Sequence, residues 1–543
     1  MKKIVGTLSL LFIFGIGHSQ VLNEKTTTEK FNKLLYYVNN LYVDSVNAEE
    51  LVEIAIVKML EELDPHTSYI PADEVKKASE PLKGNFDGIG IQFNVLKDTI
   101  FVVQTISGGP SEKIGLMAND KIITVDGEVV AGINIQNSDV IKKLKGPKGT
   151  IVTVGVKRGK SKELLDFIIT RDEIPIHSVD ASYMVASKTG YIKVNRFSAN
   201  TEEEMTMALV QLKKDGMEDL VLDLQGNGGG YLNTAIWMAD EFLSDDKLIV
   251  YTEGRAFPRD NRYAKNKGIF EKGRLVVLID ESSASASEIV SGAVQDWDRG
   301  MIVGRRSFGK GLVQRPIALP DGSEIRLTMQ KYYTPSGRCI QAIDYSHRNA
   351  DGSVGKVPDS LKSTFYTKNG RPVFDGGGVN PDIHLEPKVL SELAKQLISE
   401  GVIFDYATSY YFSHENDMPT ESFIISDEVY TSFLGFVKKS GFSYRNEAED
   451  ALSELESLAD NEHAYASLSG ALRPLRTLVN KKNASDLFTF KEQIKNELAL
   501  EILSRYHYDK VMKFVSFEKD QEVQEALKLF RDMDRYNAIL KGK

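Results

Sequence analysis

The chain has 543 residues, of which 42% are hydrophobic and 27% charged, and its formal net charge is −10. This length exceeds what one hydrophobic core holds and predicts about three or four domains, while the composition excludes a disordered or fibrous protein. The negative charge argues against nucleic acid as a partner, because an acidic surface repels phosphate backbones.

Residues 1–19 are typical of a secretory signal peptide. Lys2 and Lys3 precede an apolar run, 4–17, that is too short to span a bilayer, and small residues lead to a cleavage point before Gln20. A buried N-terminal helix is the alternative. We expect an exported protein, periplasmic or secreted. No later run of about 18 apolar residues appears, so the processed chain is not predicted to be an integral membrane protein.

Residues 20–83 are predicted to form an N-terminal helical region. Apolar residues recur there at helical spacing in two stretches between 29 and 63, and Pro65 ends the second. The segment 63–69, Leu-Asp-Pro-His-Thr-Ser-Tyr, is predicted to be a structured turn. The apolar face of the first stretch consists of Phe31, Leu34, Leu35, Val38 and Leu41.

Residues 84–172 carry short apolar runs separated by glycines, a pattern typical of a small β-rich domain. One helix is predicted within this domain, at 138–144. The predicted strands are 89–95, 99–103, 121–125, 150–156 and 166–169.

Residues 173–388 alternate strand-like apolar runs with helical stretches, which predicts an α/β core. The predicted strands are 190–194, 220–224, 275–280 and 301–303, and the predicted helices are 201–214, 234–243 and 286–297.

Residues 389–543 are predicted to be mostly helical, with amphipathic stripes. Each stripe must be buried against an apolar surface. Either a second copy of the chain, in a homodimer, or the chain's own core would supply that surface. The stripes are Leu452, Leu455 and Leu458, followed by Ile494, Leu498 and Ile502.

A serine-rich segment, 281–288, lies between the strand-like run 275–280 and a predicted helix. Free N–H groups and the helix dipole favour negative charge at a helix N-terminus, which suits an oxygen nucleophile and the oxyanion that it generates. The alternative is that these small polar residues only cap and pack the start of the helix.

Lys310 lies between Gly309 and Gly311, so backbone can approach and bury its amine. Burial disfavours the ammonium form and lowers the pKa of a lysine, which makes it a plausible general base. A solvated turn lysine is the alternative. A phosphate-binding loop beginning at Gly304 is disfavoured, because glycine stands at 311 where serine or threonine would hold magnesium.

A glycine-rich turn, 225–230, follows the strand-like run 220–224. Bare N–H groups in such a turn suit an anion. A dinucleotide fingerprint beginning at Gly226 fails because Tyr231 stands where glycine or alanine is needed. We therefore expect the turn to serve as an oxyanion hole.

Other catalytic classes lack their motifs. The sequence contains neither an H-E-x-x-H zinc motif nor a G-x-S-x-G elbow. Its one cysteine, Cys339, cannot form an internal disulfide or a thiolate metal cluster, and we predict neither a metal nor a cofactor. His66 is the alternative candidate for a base, although a capping or core role fits it better.

Five segments together resemble the C-terminal processing peptidases, also called carboxyl-terminal or tail-specific proteases. The resemblance spans roughly residues 30–386 and implies a crotonase-like α/β peptidase core at 173–388 with an inserted PDZ domain, flanked by the two helical regions. The segments are 63–69, the block from Gly84, 223–230, 283–288 and 308–314.

The same resemblance implies a serine endopeptidase that uses a serine–lysine dyad and forms an acyl-enzyme. Ser285 would be the nucleophile, Lys310 the general base, and Gln314 the residue that orients the lysine amine.

An oxyanion hole is also implied, formed by the N–H of Ala286 and the N–H of either Gly228 or Gly229. One position departs from the family, because Gln225 stands where an arginine is usual. What that arginine anchors is therefore in question in this chain.

The implied PDZ domain, 84–172, would recognise protein C-termini. Gly88, Ile89, Gly90 and Ile91 would form the loop whose N–H groups hold a terminal carboxylate, and the edge that follows would accept the peptide as an added strand. Apolar side chains in this loop and edge imply substrates with apolar C-termini. A plain β-turn is the alternative.

Two rival functions are a non-catalytic PDZ scaffold on a peptidase-like core and a crotonase-like acyl-coenzyme A enzyme. The joint presence of Ser285, Lys310, Gln314 and the glycine turn argues against the first. The PDZ block and the export signal argue against the second.

Overall fold

The computed structural model describes residues 25–159, 161, 163–349, 351, 353–414, 423–444, 447–461 and 469–542. The predicted signal peptide lies outside these residues. Within the described ranges, no helix combines the length and the apolar character that crossing a bilayer requires.

The N-terminal region is mostly helical, with one short strand before its last helix. Its first helix, α1 (25–41), presents much of its apolar face to solvent, with Phe31 47% and Leu41 70% exposed. Asn47 begins the second helix and accepts the Glu50 N–H, a typical helix cap. The remaining elements are helix α2 (Ala48–Glu61), strand β1 (Ser68–Ile70) and helix α3 (Ala72–Lys83).

A small antiparallel β domain follows. Its elements are β2 (Asn85–Gly88), β3 (Ile91–Leu96), β4 (Thr99–Thr105), α4 (Pro110–Lys113), β5 (Lys121–Val125), β6 (Glu128–Val129), α5 (Asn137–Leu144), β7 (Ile151–Lys157), β8 (Leu165–Thr170) and β9 (Asp172–Pro175). The main sheet has the order β3-β4-β5-β7-β8, with β6 beside β5. Strands β2 and β9 pair with each other, so the chain enters and leaves the domain side by side.

The α/β core contains two larger sheets of unequal character and, among the described residues, two short strand pairs. Its elements are β10 (Val179–Ala186), β11 (Thr189–Val194), α6 (Thr201–Lys214), β12 (Asp219–Asp223), α7 (Leu232–Asp240), β13 (Leu248–Glu253), β14 (Asp260–Tyr263), β15 (Leu275–Ile279), α8 (Ala286–Asp296), β16 (Met301–Gly304), β17 (Leu312–Ala318), β18 (Glu324–Tyr333), β19 (Ile343–Arg348), β20 (Val354–Lys356), β21 (Thr364–Tyr366), β22 (Pro372–Phe374) and β23 (Ile383–His384). The central sheet has the order β10-β11-β12-β15-β16-β23 and is parallel from β11 to β23.

The central sheet is covered on both faces, which explains its near-continuous apolar strands. Leu222 and Val277 point into the cluster that contains residues of α6, α7 and α8. Their strand neighbours Val221 and Val276 point into the opposite cluster, where Val523 and other residues near the end of the described chain pack.

The second sheet joins the core to the N-terminal region. It has the order β1-β18-β13-β14, and β17 also pairs with β18. Ser68 of β1 lies opposite Arg326 of β18, so the turn 63–69 is anchored beside the strand pair that begins just after Lys310. The sequence patterns predicted none of these pairings.

The C-terminal region is helical. Its helices are α9 (Glu392–Ser399), α10 (Val402–Ser413), α11 (Asp427–Ser440), α12 (Glu447–Asn461), α13 (Ser469–Thr489), α14 (Lys491–Lys519), α15 (Gln521–Arg531) and α16 (Met533–Leu540). The stripe of Ile494, Leu498 and Ile502 is buried against other helices of this region, so the chain itself covers it. Leu455 and Leu458 are 50% and 48% exposed.

Two kinds of contact tie this region to the rest of the molecule. Helices α15 and α16 pack on the central sheet and cover its second face. Helix α10 packs on the small β domain, where the rings of Phe404 and Phe101 meet edge to face at 5.3 Å and Lys97 forms an ion pair with Asp405.

Candidate active site

The three segments singled out in the sequence follow neighbouring strands of the central sheet. Strands β12, β15 and β16 are adjacent and parallel. Because the carboxyl ends of parallel strands lie at one edge of a sheet, the glycine turn, the serine segment and the loop with Lys310 meet at that edge. Segments that are far apart in the chain thus form one site.

Ser285 is the accessible member of the three alternating serines. Ser283 and Ser287 are fully buried. Their hydroxyls donate to the carbonyls of Leu224 and Asn227, each at 2.8 Å. These two serines therefore fasten the segment to the neighbouring glycine turn, and Ser285 is left half-buried between them.

Ser285 has a backbone conformation that serine rarely adopts. Its φ is +55°, in the left-handed region, immediately before helix α8. The Tyr332 hydroxyl donates to its carbonyl at 3.0 Å, and its own N–H donates to Glu288 Oε2 at 2.8 Å. Such strain persists only where surrounding contacts impose it, and it is frequent at active sites.

Glu288 joins the serine segment to the lysine loop. Its Oε2 accepts the N–H of Ser285 at 2.8 Å and that of Lys310 at 2.9 Å. Its Oε1 accepts the Ser307 hydroxyl at 2.5 Å and the Gly309 N–H at 2.7 Å. Complete burial raises the pKa of this carboxyl to about 6, although the donated hydrogen bonds act against the shift.

The role of Glu288 was not predicted from the sequence. The signal was present, because a serine followed three residues later by glutamate at the start of a helix is a capping-box pattern. What the pattern does not reveal is that the same carboxylate also binds the loop after β16.

Lys310 is half-buried, and its Nζ donates to Gln314 Oε1 at 2.9 Å. Burial lowers the pKa of Lys310, and the Asp64 carboxylate acts in the opposite direction. Among the described residues, no hydrogen bond joins the Ser285 hydroxyl to Lys310 Nζ. The structure thus brings the lysine and Gln314 together, on a loop that shares a carboxylate with Ser285.

The turn 63–69 completes the surroundings of the lysine. Asp64 holds the turn together, its carboxylate accepting the N–H of His66 at 2.8 Å and of Thr67 at 2.9 Å. The His66 ring lies 6.4 Å from the ring of Phe308, and burial together with the nearby Lys310 lowers the pKa of His66. His66 is therefore uncharged at neutral pH.

The three N–H groups predicted as candidate oxyanion donors, those of Ala286, Gly228 and Gly229, differ in their partners. Ala286 is the first residue of helix α8, where an N–H has no partner within the helix. The Gly229 N–H donates to Asn227 Oδ1 at 2.9 Å, whereas the Gly228 N–H has no acceptor among the described residues. A Cβ on Gly229 would lie 2.9 Å from the Ser285 Cβ, so only glycine fits there.

The four residues singled out in the β domain lie between β2 and β3. Gly88 ends β2, Ile91 begins β3, and Gly90 has a φ of +73°. The Ile89 carbonyl accepts the N–H of Ser111 at 3.1 Å and its hydroxyl at 2.6 Å, which fixes the loop. In the part of the chain that the structure describes, β3 is the end strand of its sheet.

Comparison with known families agrees with these observations. Residues 188–347 match peptidase family S41, and residues 88–169 match the PDZ domain. Residues 393–530 match the family described as "Probable PDZ-protease, C-terminal helical domain".

Three relatives are similar over long stretches. The carboxy-terminal processing protease CtpB of Bacillus subtilis is 36% identical over 315 residues, 58% of this chain and 65% of that protein. The carboxy-terminal-processing protease of Bartonella bacilliformis is 37% identical over 329 residues, 59% of this chain and 75% of that protein. CtpA of Bacillus subtilis is 32% identical over 456 residues, 82% of this chain and 96% of that protein. The chain belongs to the PDZ-containing carboxy-terminal processing peptidases of family S41, which confirms the resemblance drawn from its five sequence segments.

Proposed function

We propose that this protein is a serine endopeptidase in which Ser285 is the nucleophile and Lys310 the general base. One observation carries the proposal: the N–H groups of both residues are bound by the same oxygen of the buried Glu288. A lysine whose pKa is lowered by burial beside an accessible serine is the arrangement that lysine-assisted serine catalysis needs.

In the first step, neutral Lys310 takes the Ser285 proton as the serine oxygen attacks the peptide carbonyl. The lysine then gives that proton to the leaving amine, and the C–N bond breaks to leave an acyl-enzyme. Water adds to the ester with the lysine again acting as base, and Ser285 is released. Gln314 orients the amine throughout by accepting one of its N–H groups.

The tetrahedral anion would be bound by the N–H groups of Ala286 and Gly228. Gly228 is preferred to Gly229 because the Gly229 N–H already donates to Asn227. Donors held in place before the reaction stabilise the developing charge without reorganisation. Gly229 then serves a steric role, since its lack of a side chain lets the turn approach Ser285.

The PDZ domain would select substrates by their C-termini. The loop Gly88–Ile89–Gly90–Ile91 would bind the carboxylate, and the free edge of β3 would accept the peptide as an added strand. Ile91 and Phe93 are half-buried and pack against the apolar core of the domain, which supports a preference for apolar C-terminal side chains.

Three further features belong to the proposal. The core, 173–388, is crotonase-like, with the PDZ domain at 84–172 inserted ahead of it. Residues 1–19 are removed on export, which places the enzyme in the periplasm or outside the cell. A homodimer would cover the exposed apolar residues of α1.

The experiment is cleavage of an unfolded substrate by the purified chain, followed on gels and by mass spectrometry. Ser285→Ala and Lys310→Ala should each abolish cleavage while the melting temperature stays near that of the wild type. Ser282→Ala, at an exposed serine of the same segment, is the matched control and should keep full activity. A wild-type protein that binds C-terminal peptides but cleaves nothing would instead identify a PDZ scaffold.

A further inference from the structure

A lysine stands within the central sheet, where apolar residues are expected. Lys193 lies in β11, whose other five residues are buried, and its own side chain is only 22% exposed. It is paired in register with Asp223 of β12. Charged residues are rare at buried positions unless they are paired with an opposite charge. The contacts of Lys193 therefore indicate its role.

Lys193 binds the start of the glycine turn. Its Nζ lies 3.0 Å from Asp223 Oδ1 and donates to the carbonyl oxygen of Gln225 at 2.7 Å. The N–H of Gln225 donates to the same Asp223 oxygen at 2.8 Å. The ion pair between Lys193 and Asp223 therefore binds both the backbone carbonyl and the backbone N–H of Gln225, the first residue of the turn.

The surroundings of this ion pair are acidic. Asp223 is buried and also accepts the Tyr191 hydroxyl at 2.6 Å. Burial, together with the charges of Asp223 and Glu522, raises the pKa of the nearby Asp520 to about 6. Lys193 supplies positive charge to this cluster, and a buried carboxylate without such a partner is costly.

Hydrogen bonds connect the glycine turn both to the strand that carries Lys193 and to the serine segment. The Gly226 N–H donates to Asp280 at 2.9 Å, and the Asn227 side chain donates to the Val194 carbonyl, next to Lys193, at 2.8 Å. The Asn227 carbonyl accepts the Ala284 N–H at 3.0 Å. The turn is thus bonded to the end of β11 on one side and to the serine segment on the other.

We propose that Lys193 is a positioning residue for the oxyanion hole: by holding the Gln225 carbonyl, it fixes the direction in which the Gly228 N–H points. This inference rests on the proposed peptidase function.

The first test measures kcat and KM for cleavage of β-casein, used as an unfolded substrate, by the full chain. Lys193→Met should lower kcat by about 10- to 100-fold with KM changed less than about twofold, because only transition-state binding is weakened. Lys193→Arg should retain most of the turnover. Lys188→Met, at an exposed lysine just before the same strand, should match the wild type. A wild-type kcat in Lys193→Met would overturn the inference.

The second test separates positioning from charge neutralisation. The double variant Lys193→Met/Asp223→Asn removes both charges of the ion pair together, so it should melt near the wild-type temperature even if Lys193→Met does not fold. Its kcat should still be low, because the Gln225 carbonyl has lost its donor. Recovery of wild-type kcat would show that Lys193 only neutralises Asp223.

The two proposals fail in distinguishable ways. If Ser285→Ala keeps cleaving β-casein, the peptidase assignment is wrong and the inference about Lys193 falls with it. If Ser285→Ala is inactive and Lys193→Met is fully active, only the inference about Lys193 is wrong.

Discussion

Gln314 donates its amide N–H to the backbone carbonyl of His66, which leaves its amide oxygen to accept from Lys310 Nζ. An amide bound at its nitrogen end has a defined orientation. The turn 63–69, contributed by the N-terminal region, therefore determines which atom of Gln314 faces the lysine. The same turn keeps an uncharged His66 beside the amine.

This relationship predicts the effect of Gln314→Glu. A carboxylate beside the amine favours the ammonium form and therefore raises the pKa of Lys310. Since the base must be neutral, the acidic limb of the kcat/KM pH profile should move to higher pH. Gln211→Glu, on the exposed side of α6, should leave the profile unchanged. An unshifted profile in Gln314→Glu would contradict the role given to this residue.

Glu288→Gln should impair both stability and turnover. A glutamine offers one acceptor oxygen where four donors now converge on two, so two of these donors lose their partner, at a cost of about 1–3 kcal/mol each when buried. Melting temperature and kcat should both fall. Glu271→Gln is the control, because Glu271 holds the Gly268 N–H in a loop away from the site.

The raised pKa of Glu288 also predicts how stability depends on pH. Folding raises this pKa from 4.5 to about 6, so protonation favours the folded state. The stabilisation is complete below pH 4.5 and is lost as pH rises through 6, a change of about 2 kcal/mol. The free energy of unfolding in urea is measured for the wild type and for Glu288→Gln. The wild-type value minus the variant value should decrease by about 2 kcal/mol between pH 4.5 and pH 7. Fluorescence can report it, because Trp237 and Trp297 both lie in the core. A difference that is independent of pH would refute this reading.

Adjacent glycines of the turn should respond differently to alanine. A Cβ on Gly229 would lie 2.9 Å from the Ala284 carbonyl, at a φ of +101°, whereas a Cβ on Gly228 would meet no atom within 4 Å. Gly229→Ala should therefore lower the melting temperature clearly, and Gly228→Ala should not. Equal melting temperatures for the two variants would contradict the packing of the turn against Ser285.

Gly90→Ala should weaken peptide binding by the PDZ domain. Gly90 has a φ of +73°, and a Cβ there would lie 3.1 Å from Ile174 Cδ1, so the loop must change shape. Fluorescence anisotropy with a peptide ending in valine should show the loss, and amidation of the peptide C-terminus should abolish binding to the wild type. Gly127→Ala, at a φ of +81° with open space around it, controls for backbone strain alone.

Sequence patterns were sufficient for four strands of the central sheet and for the helices on one of its faces, but they did not predict the two outer strands β10 and β23. The run 275–280 corresponds to β15, and the predicted helix at 286–297 corresponds to α8. Buried apolar strands and an amphipathic helix are set by local composition, so they can be read from short windows. The helix predicted at 234–243 begins earlier, at Leu232, and ends at Asp240, because helix ends depend on local backbone contacts that periodicity does not report.

The rest of the site depends on pairings between distant segments. Glu288 binds residues up to 22 positions away, and Gln314 binds His66 across 248 positions. The second sheet likewise pairs β1 with β18. Neither spacing nor composition encodes which strand lies beside which, so neither the contact of Lys193 with the glycine turn nor that of Gln314 with the turn 63–69 was predicted.

The position of α15 and α16 bears on how the enzyme is made. These helices cover one face of the central sheet, yet they are synthesised long after the strands that carry Ser285 and Lys310. Until they arrive, Val221, Val276 and their neighbours face water or a chaperone. A chain that ends before α15 therefore leaves this apolar face uncovered, and we expect it to be less stable and more prone to aggregation than the full chain.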